Sequence, residues 1–581
     1  MKVHESSDVA AMLPHIPLNA KRLLLIGGQS EGLAAAFKNL NPQAFCVALR
    51  PLNSSNQSAE AAIDQWLNID LDTGLSKLTL IKSPMDLVLV MADTWALVKD
   101  AKRFLKELRR FMAKDAVCVV WAHNVSHWQR MEQLLQGTNQ KGMLFDSAQI
   151  LGLLSDTCWT VQTLSARQSA AQHNDKVLKR WSSLTQSLDI GADQTRRSLL
   201  TKQWVVVAIN GPAVVSLHVA AVSSAQCKLG SKEARMQYPL NALKSLPGVR
   251  CVHEEATLAI PPQFKPGILM LEAQWLKTPG MLDNLDKKVK EGWVLVADMD
   301  EDPMGDPDHE ASHFMAFKGV HAVTVSTPEL ARRIGRWNPC VHVLPNAVHW
   351  IDNKPQAIPK NKERVRIFYG AVNRQKDWQP IIQGVLAAAI NLGDSIEFVV
   401  VHDKAFHDAL PKTSQKTFHE SLTHAAYTEV LTSCDLALLP LADNSVNRCK
   451  SDLHLIECAS AGVVPICSSV VYAENLAHES FAKFADTPAE WMATLIKLCK
   501  QTGELNRRAK LGHAHVSKYR THAMQASIRR DLYLSLLDDR DALEAQRQDR
   551  LQAMNACREQ RSQEEDSAQL EPSMLALSQI G

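Results

Sequence analysis

Short apolar runs separated by stretches of helical apolar spacing recur along the chain in three blocks. In the first, Leu23–Ile26, Phe45–Leu49, Asp86–Met91 and Val117–Trp121 read as strands, and Ala101–Met112 has the spacing of a helix. Such alternation predicts a parallel sheet with crossover helices. From about 166 to 200 the chain is polar and helical without a strand signal, which predicts a connector. A second block follows, with Trp204–Ile209, Ile268–Leu271, Trp293–Ala297, Ala322–Val325 and His342–Leu344 as its strands. Asp352–Lys362, which holds Pro355 and Pro359, reads as a hinge linker. In the third block Val365–Tyr369, Ile396–Val401, Asp435–Leu439 and Val463–Cys467 are strands, with Trp378–Ile390 and Ala489–Cys499 among the helices. Beyond about 540 Arg, Gln, Glu and Asp dominate, as in a solvated helix or a disordered tail.

Composition changes this picture little. At roughly 100–200 residues per domain, 581 residues call for three or more. A hydrophobic share of 46% and a charged share of 22% suit globular protein. Sixty-four basic and 62 acidic side chains leave +2, which argues against bulk electrostatic capture of nucleic acid, although a local basic groove would be hidden in the sum. The twelve cysteines are scattered, without a Cys-x-x-Cys pair, and read as buried small hydrophobes in a reducing compartment. The first thirty residues lack the basic and apolar sequence of a secretory signal. The uncharged run Trp204–Cys227 is long enough to span a bilayer, but Asn210-Gly211-Pro212 and His218 interrupt it. A strand, a turn and a second buried segment are expected there instead of a transmembrane helix.

The clearest chemical signal lies between Asn447 and Pro465. Ser451 is a good N-cap for a helix running to about Ala461, and Gly462 supplies a left-handed stop before a buried strand. A helix start beside Lys450 presents free N–H groups and a cation to one point, which suits a phosphate. Glu457, one and a half turns on, can accept hydrogen bonds from sugar hydroxyls. Asp452 favours the helix but repels a phosphate placed too close. On spacing alone, Lys450 as a solvated cation and Glu457 as a structural carboxylate stand equally open.

The run from Asp435 through Pro440, Asn447, Lys450-Ser451-Asp452, Glu457 and Gly462 to Pro465 resembles the donor-binding region of the two-domain, GT-B type glycosyltransferases of the group 1, family four kind. Tyr369-Gly370-Ala371 with Lys376-Asp377-Trp378 is similar to the first strand and loop of their C-terminal domain. Val325-Ser326-Thr327-Pro328-Glu329-Leu330 and Leu344-Pro345-Asn346-Ala347-Val348 are similar to the segment before their interdomain linker. The resemblance spans roughly residues 204–500, with its motifs in the expected order. It implies that Lys376 and Lys450 bind the donor diphosphate with help from Arg374, that Glu457 contacts the donor ribose, and that the anomeric configuration is retained. Gly370, Asn447, Ser451 and Asp452 fall in the same donor-binding motifs. The chain departs from the family at Cys449, where a first glutamate is usual, and at Ala371, where an arginine is usual.

Asp298-Met299-Asp300-Glu301-Asp302 follows the strand Trp293–Ala297. Its Asp-x-Asp is similar to the metal-diphosphate motif of single-domain transferases, but relatives of the GT-B kind also carry an acidic run here, and no metal is expected. Asp298 and Asp300 are expected at the mouth of the cleft, facing the acceptor. Arg235, His309 and His313 are further acceptor-side candidates, each with an ordinary surface or helix role as the alternative.

Near the N-terminus, Leu23 to Gly32 reads as a strand, a Gly-rich turn and a helix start, with Gly27 and Gly28 as candidate cofactor-binding residues. Asp86-Leu87-Val88-Leu89, Trp121 to Trp128, Leu134-Leu135-Gln136-Gly137 and Phe145-Asp146 resemble parts of an S-adenosylmethionine methyltransferase. The second strand, however, ends at Leu49-Arg50-Pro51, where a carboxylate would be needed for the cofactor ribose. A degenerate domain used for docking or acceptor recruitment is expected, without S-adenosylmethionine. The whole chain then reads as an α/β protein of three Rossmann-like units. The expected divisions are a methyltransferase-like unit (1–165), a helical connector (166–203), an acceptor domain (204–355), a donor domain (356–525) and a charged tail (526–581). The implied function is transfer of sugar from a UDP- or GDP-sugar to a glycan, lipid-linked or protein acceptor, in the cytoplasm or peripherally at the inner membrane face. A bifunctional enzyme that also methylates and a catalytically silent scaffold are the alternatives. A protein partner or self-association would use the N-terminal unit or the tail.

Overall fold

Strands covered on both faces by helices must be apolar throughout, which is why the runs above lack strict alternation. The computed structural model describes residues 7–556 except 29, 52–61, 82, 139–141, 169–173, 188–190, 213, 215, 226–231, 263, 278–279, 350, 352–362 and 475. The expected hinge linker and the chain beyond 556 lie outside the described residues. Two compact units result, one of Met1–Ser216 with Lys244–Val249, the other of Leu217–Leu243 with Arg250–Gly581.

The first unit holds strands β1 (Arg22–Ile26), β2 (Phe45–Pro51), β3 (Gln65–Ile69), β4 (Met85–Val90), β5 (Met112–His123), β6 (Thr160–Gln168) and β7 (Thr201–Ile209). They form one sheet in the order β3-β2-β1-β4-β5-β7-β6. β7 is antiparallel to both neighbours, with Val117 opposite Ile209 and Trp121 opposite Val205. This corrects the expectation that Trp204–Ile209 opens the second block: an apolar run declares that it is buried, not which sheet it joins. The presumed connector is also internal to this unit. Its helices Asn174–Ser187 and Ala192–Leu200 pack together through Val177, Trp181, Leu199 and Leu200 and carry the chain from β6 to β7. β6, half-exposed and rich in polar residues, gave no strand signal in the sequence.

The second unit has two sheets. β8 (Leu217–Ser223), β9 (Val249–Glu255), β10 (Ile268–Glu272), β11 (Val294–Met299), β12 (Ala322–Val325) and β13 (Val341–Val343) lie in the order β13-β12-β11-β10-β8-β9. The fully buried β8 is the second buried segment expected within Trp204–Cys227. Among the described residues no helix is long and apolar enough to cross a membrane. The other sheet contains β14 (Val365–Gly370), β15 (Ile396–Val401), β16 (Gln415–His419), β17 (Leu436–Leu439), β18 (Val464–Cys467) and β19 (Lys483–Phe484), all parallel, in the order β16-β15-β14-β17-β18-β19. The protein is thus α/β with three Rossmann-like units.

After the helix Thr502–Tyr519 the chain returns to the block of β8 to β13. At the return Thr521 forms a bridge with Val348, with Val348 N–H donating to Arg520 O (2.8 Å) and His522 N–H to Val348 O (3.2 Å). The helix His522–Asp538 then places Tyr533 Oη 3.5 Å from Met270 Sδ. A further helix runs over 540–556, the helical one of the two forms expected there, but one face of it is buried instead of solvated. Its Leu543, Leu551 and Met554 are buried. Arg547 is 1% exposed and bonds Asp286 Oδ1 (2.7 Å) and Glu544, and Arg550 Nη2 donates to Val320 O (2.6 Å). Two of its arginines are held by half-buried carboxylates and by backbone carbonyls, so they pack against the protein instead of facing solvent.

Candidate functional site

In an open parallel sheet the loops diverge where the strand order reverses, and the crevice beyond the carboxyl ends of those strands receives ligands. β14 precedes β15 on one side and pairs with β17 on the other, so its switch point is flanked by the loops after Gly370 and Leu439. Gly370 has no room for a side chain: a Cβ there would lie 2.7 Å from Phe368 Cζ and 2.9 Å from Tyr427 Cε2. Lys376 and Arg374 belong to the first of these loops, Asn447 and Lys450 to the second.

Asp377 ties the two loops together. Its buried Oδ1 accepts from Asn447 Nδ2 (2.6 Å) and Ala442 N–H (3.0 Å), and Asn447 Nδ2 also reaches Ala442 O (2.8 Å). Lys376 is exposed and Lys450 half-buried. Neither side chain is engaged in an ion pair or hydrogen bond among the described residues, while the Lys450 N–H donates to Asn447 O (3.1 Å). Arg374 lies 3.5 Å from Asp377 Oδ2.

The helix expected from Ser451 begins later, spanning Leu453–Ser460, with Asp452 at its N-cap and no side-chain capping bond. Ser451 Oγ is instead taken by Asn346 Nδ2 at 2.8 Å. Asp452 is turned to Arg520, Oδ2 at 2.5 Å from Nη1 and Oδ1 at 2.6 Å from Nη2. Gly462, at φ +73°, ends the helix as expected and leads into β18. Glu457 Oε2 is 3.3 Å from His454 Nδ1. Desolvation works against charge on His454, but Glu457 outweighs it and raises the imidazole pKa, with Arg374 and Asp300 also acting on it. Cys449, standing where a carboxylate is usual, is buried in the apolar core beneath β10 to β12, and burial pushes its thiol up to about 12. Its carbonyl accepts from Thr327 Oγ1 (3.1 Å).

The acidic run after β11 differs from its expected form. Asp298 is buried and both its oxygens are committed: Arg235 Nε to Oδ1 (2.8 Å), Arg235 Nη2 and Thr324 Oγ1 to Oδ2 (2.7 and 2.6 Å). Arg235 is equally buried and also donates to Leu344 O (2.8 Å) and Asn346 Oδ1 (2.9 Å). Neither residue therefore offers a free group to an acceptor. A buried guanidinium requires such pairing, so the pair is explained by stability. Asp300 is half-buried, with Asn346 Nδ2 3.2 Å from Oδ2. Burial raises its pKa, partly opposed by Arg235. His309, expected on the acceptor side, is fully buried against Phe317 (5.2 Å between rings) with both ring nitrogens unbonded, and burial pushes its pKa down to about 4. His313 is half-buried with a left-handed backbone, φ +53°. Among the described residues no group of three His, Cys, Asp or Glu side chains could hold a metal.

Sequence reading passed over Asn346, Asp377, Arg520 and His454. Asn346, Asp377 and His454 lie inside motifs singled out for other residues. Arg520 is 68 positions from the carboxylate it binds and carries no local signal.

In the first unit, the glycine turn between β1 and the helix Ser30–Leu40 is filled by the chain itself. Gly28 N–H donates to Asp93 Oδ2 (2.7 Å). Gly27 has φ +113°, and a Cβ there would meet Asp93 Oδ1 and Thr94 Oγ1 at 2.6 Å. Arg50, in β2, stacks on Trp66 of β3, its Cζ 4.2 Å from the ring centroid. Among the described residues, the end of β2 thus carries a guanidinium where a carboxylate would accept from ribose hydroxyls.

No protein-family model and no curated protein matches the sequence. Among solved structures, the Anabaena protein Alr3699/HepE in complex with UDP-glucose is 11% identical, covered over 100% of its length by 55% of this chain, with a TM-score of 0.40. A Rickettsia africae glycosyltransferase is likewise 11% identical, with 99% of its chain and 55% of this one covered and a TM-score of 0.40. An Archaeoglobus fulgidus SAM-dependent methyltransferase is 11% identical over 94% of its chain and 35% of this one, with a TM-score of 0.27.

Proposed function

We propose that this chain is a glycosyltransferase that moves a sugar from a UDP- or GDP-sugar to a glycan, lipid-linked or protein acceptor, with retention of configuration. The observation that carries this reading is the β14/β17 switch point, where Asp377 braces two loops whose lysines, Lys376 and Lys450, are left unpaired beside a helix start. Negative charge grows on the diphosphate as its bond to the sugar breaks. Lys376, Lys450 and the free N–H groups of the helix stabilise it, Arg374 assists, and preorganised donors of this kind supply much of an enzyme's rate. Glu457 accepts from the donor ribose, and Gly370 lets the Phe368 and Tyr427 rings pack against the end of β14, which sets the start of the first loop. The departing phosphate takes the acceptor's proton. The acceptor side is formed by the block of β8 to β13, where Asp300 and His313 remain candidates, while Asp298 and Arg235 hold the loop in place.

The first unit serves docking or acceptor recruitment, a role supported by the self-filled glycine turn and by Arg50 at the ribose position. A cytoplasmic site of action is the reading that the ten described cysteines, all unpaired, support. Incubation with a panel of UDP- and GDP-sugars tests the reading. Donor hydrolysis or transfer that Lys450→Ala abolishes is expected, whereas absence of both turnover and donor binding in the wild type would favour a silent scaffold.

A further inference from the structure

We propose that Arg520 is a positioning residue that makes the acidic start of the helix Leu453–Ser460 fit to receive a diphosphate, by drawing the Asp452 carboxylate away from it. The inference rests on the donor-site reading above. A carboxylate at a helix N-cap ordinarily accepts from the first free amides, the same groups a phosphate would use. Asp452 occupies the N-cap yet makes no such bond. Both its oxygens lie instead on the guanidinium of Arg520, in the two-point geometry that gives strong charge-assisted bonds.

Among the described residues the other group within ion-pair distance of Asp452 is His478, whose Nε2 is 3.4 Å from Oδ2, with Tyr472 and His515 also feeling its charge. Its Nδ1 lies 2.8 Å from Tyr472 O and so carries the ring's proton. In its neutral form Nε2 therefore has none to offer. Arg520 is thus the permanent cation that balances Asp452 among the described residues. It is itself anchored: its Nη2 donates to Asn346 O (2.9 Å), and the fully buried Asn346 holds Ser451 Oγ from the other side. With Asp452 balanced, its charge no longer opposes those of Lys450 and Lys376. Without Arg520, a bare carboxylate within about one turn of the diphosphate would repel it and cap the amides.

Calorimetric titration of the full chain with UDP and with GDP tests this. Arg520→Gln is expected to weaken nucleotide binding about ten- to thirtyfold, the size of one unscreened charge at this range. Adding Asp452→Asn to it should restore binding to within about threefold of wild type, because the repelling charge is gone. Loss in Arg520→Gln that Asp452→Asn does not relieve overturns the proposal and leaves Arg520 as a mechanical tie through Asn346. Asp452→Asn alone serves if Arg520→Gln does not fold: binding at least as tight as wild type supports the proposal, and weaker binding overturns it. Wild type that binds neither nucleotide sinks the donor reading and this inference with it, whereas wild-type binding unaltered in Arg520→Gln sinks this inference only.

Discussion

Arg235 and Asp298 are almost inaccessible to solvent and satisfy each other, so removal of either leaves a buried charge without a partner. Asp298→Ala is therefore expected to destabilise the protein by about 3–5 kcal/mol, read as a fall in denaturation midpoint. Lys450→Ala removes an unpaired side chain, and its effect should appear elsewhere: stability within about 0.5 kcal/mol of wild type, and kcat/KM for the donor lower by about a hundredfold. Equal loss of stability in both variants would contradict the division of roles drawn between them. His309 adds a pH dependence. Burial lowers its folded pKa to about 4, so as pH falls below 6.5 the unfolded chain takes up a proton first. Its contribution is flat above 6.5, becomes increasingly destabilising down to about 4, and levels off below. His309→Phe, which keeps a ring against Phe317, should reduce the loss of stability between pH 7 and pH 5 by roughly 1–2 kcal/mol in urea melts at the two pH values.

Elements differ in how openly the sequence declares them. Continuous apolar runs announced β1, β4, β11, β14 and β15 because both their faces are covered. β6, β9 and β16 are half-exposed and carry Thr, Gln, Lys, Glu and His, so their pairing comes from neighbouring strands and not from their own pattern. The helix over 540–556 misled for the opposite reason. Its arginines look solvated in sequence, yet Arg547 and Arg550 reach carboxylates and the carbonyls of 318–320. Arg547→Ala should loosen this helix, with new proteolytic cleavage within 540–556 and a destabilisation of about 1–3 kcal/mol from the lost bonds to Asp286 and Gly319 O. The loop after β17 shows the same dependence on distant groups. Asp377→Ala unties Ala442 and Asn447, and a donor KM raised about tenfold, with far-UV dichroism unchanged, is the expected result.

At the scale of the whole molecule, the three α/β blocks are legible because helix and strand periods are local properties of the chain. The self-filled glycine turn predicts that the full chain binds S-adenosylmethionine too weakly for a calorimetric signal at micromolar concentration, and a clear micromolar isotherm would reverse the proposal for the first unit. By itself the sequence determined the class of fold, the order of the blocks, the helix that ends at Gly462 and the placing of a cation, Lys450, just ahead of that helix. These follow from hydrophobic period, backbone freedom and side-chain charge, each readable within a few residues. Tertiary structure alone decided that β7 closes the first sheet, that Asp298 belongs to Arg235, that Asp377 braces Asn447 and that Arg520 draws off the charge of Asp452. Those outcomes depend on partners brought together from remote parts of the chain, because a buried charge or strand edge takes whichever partner the packing supplies.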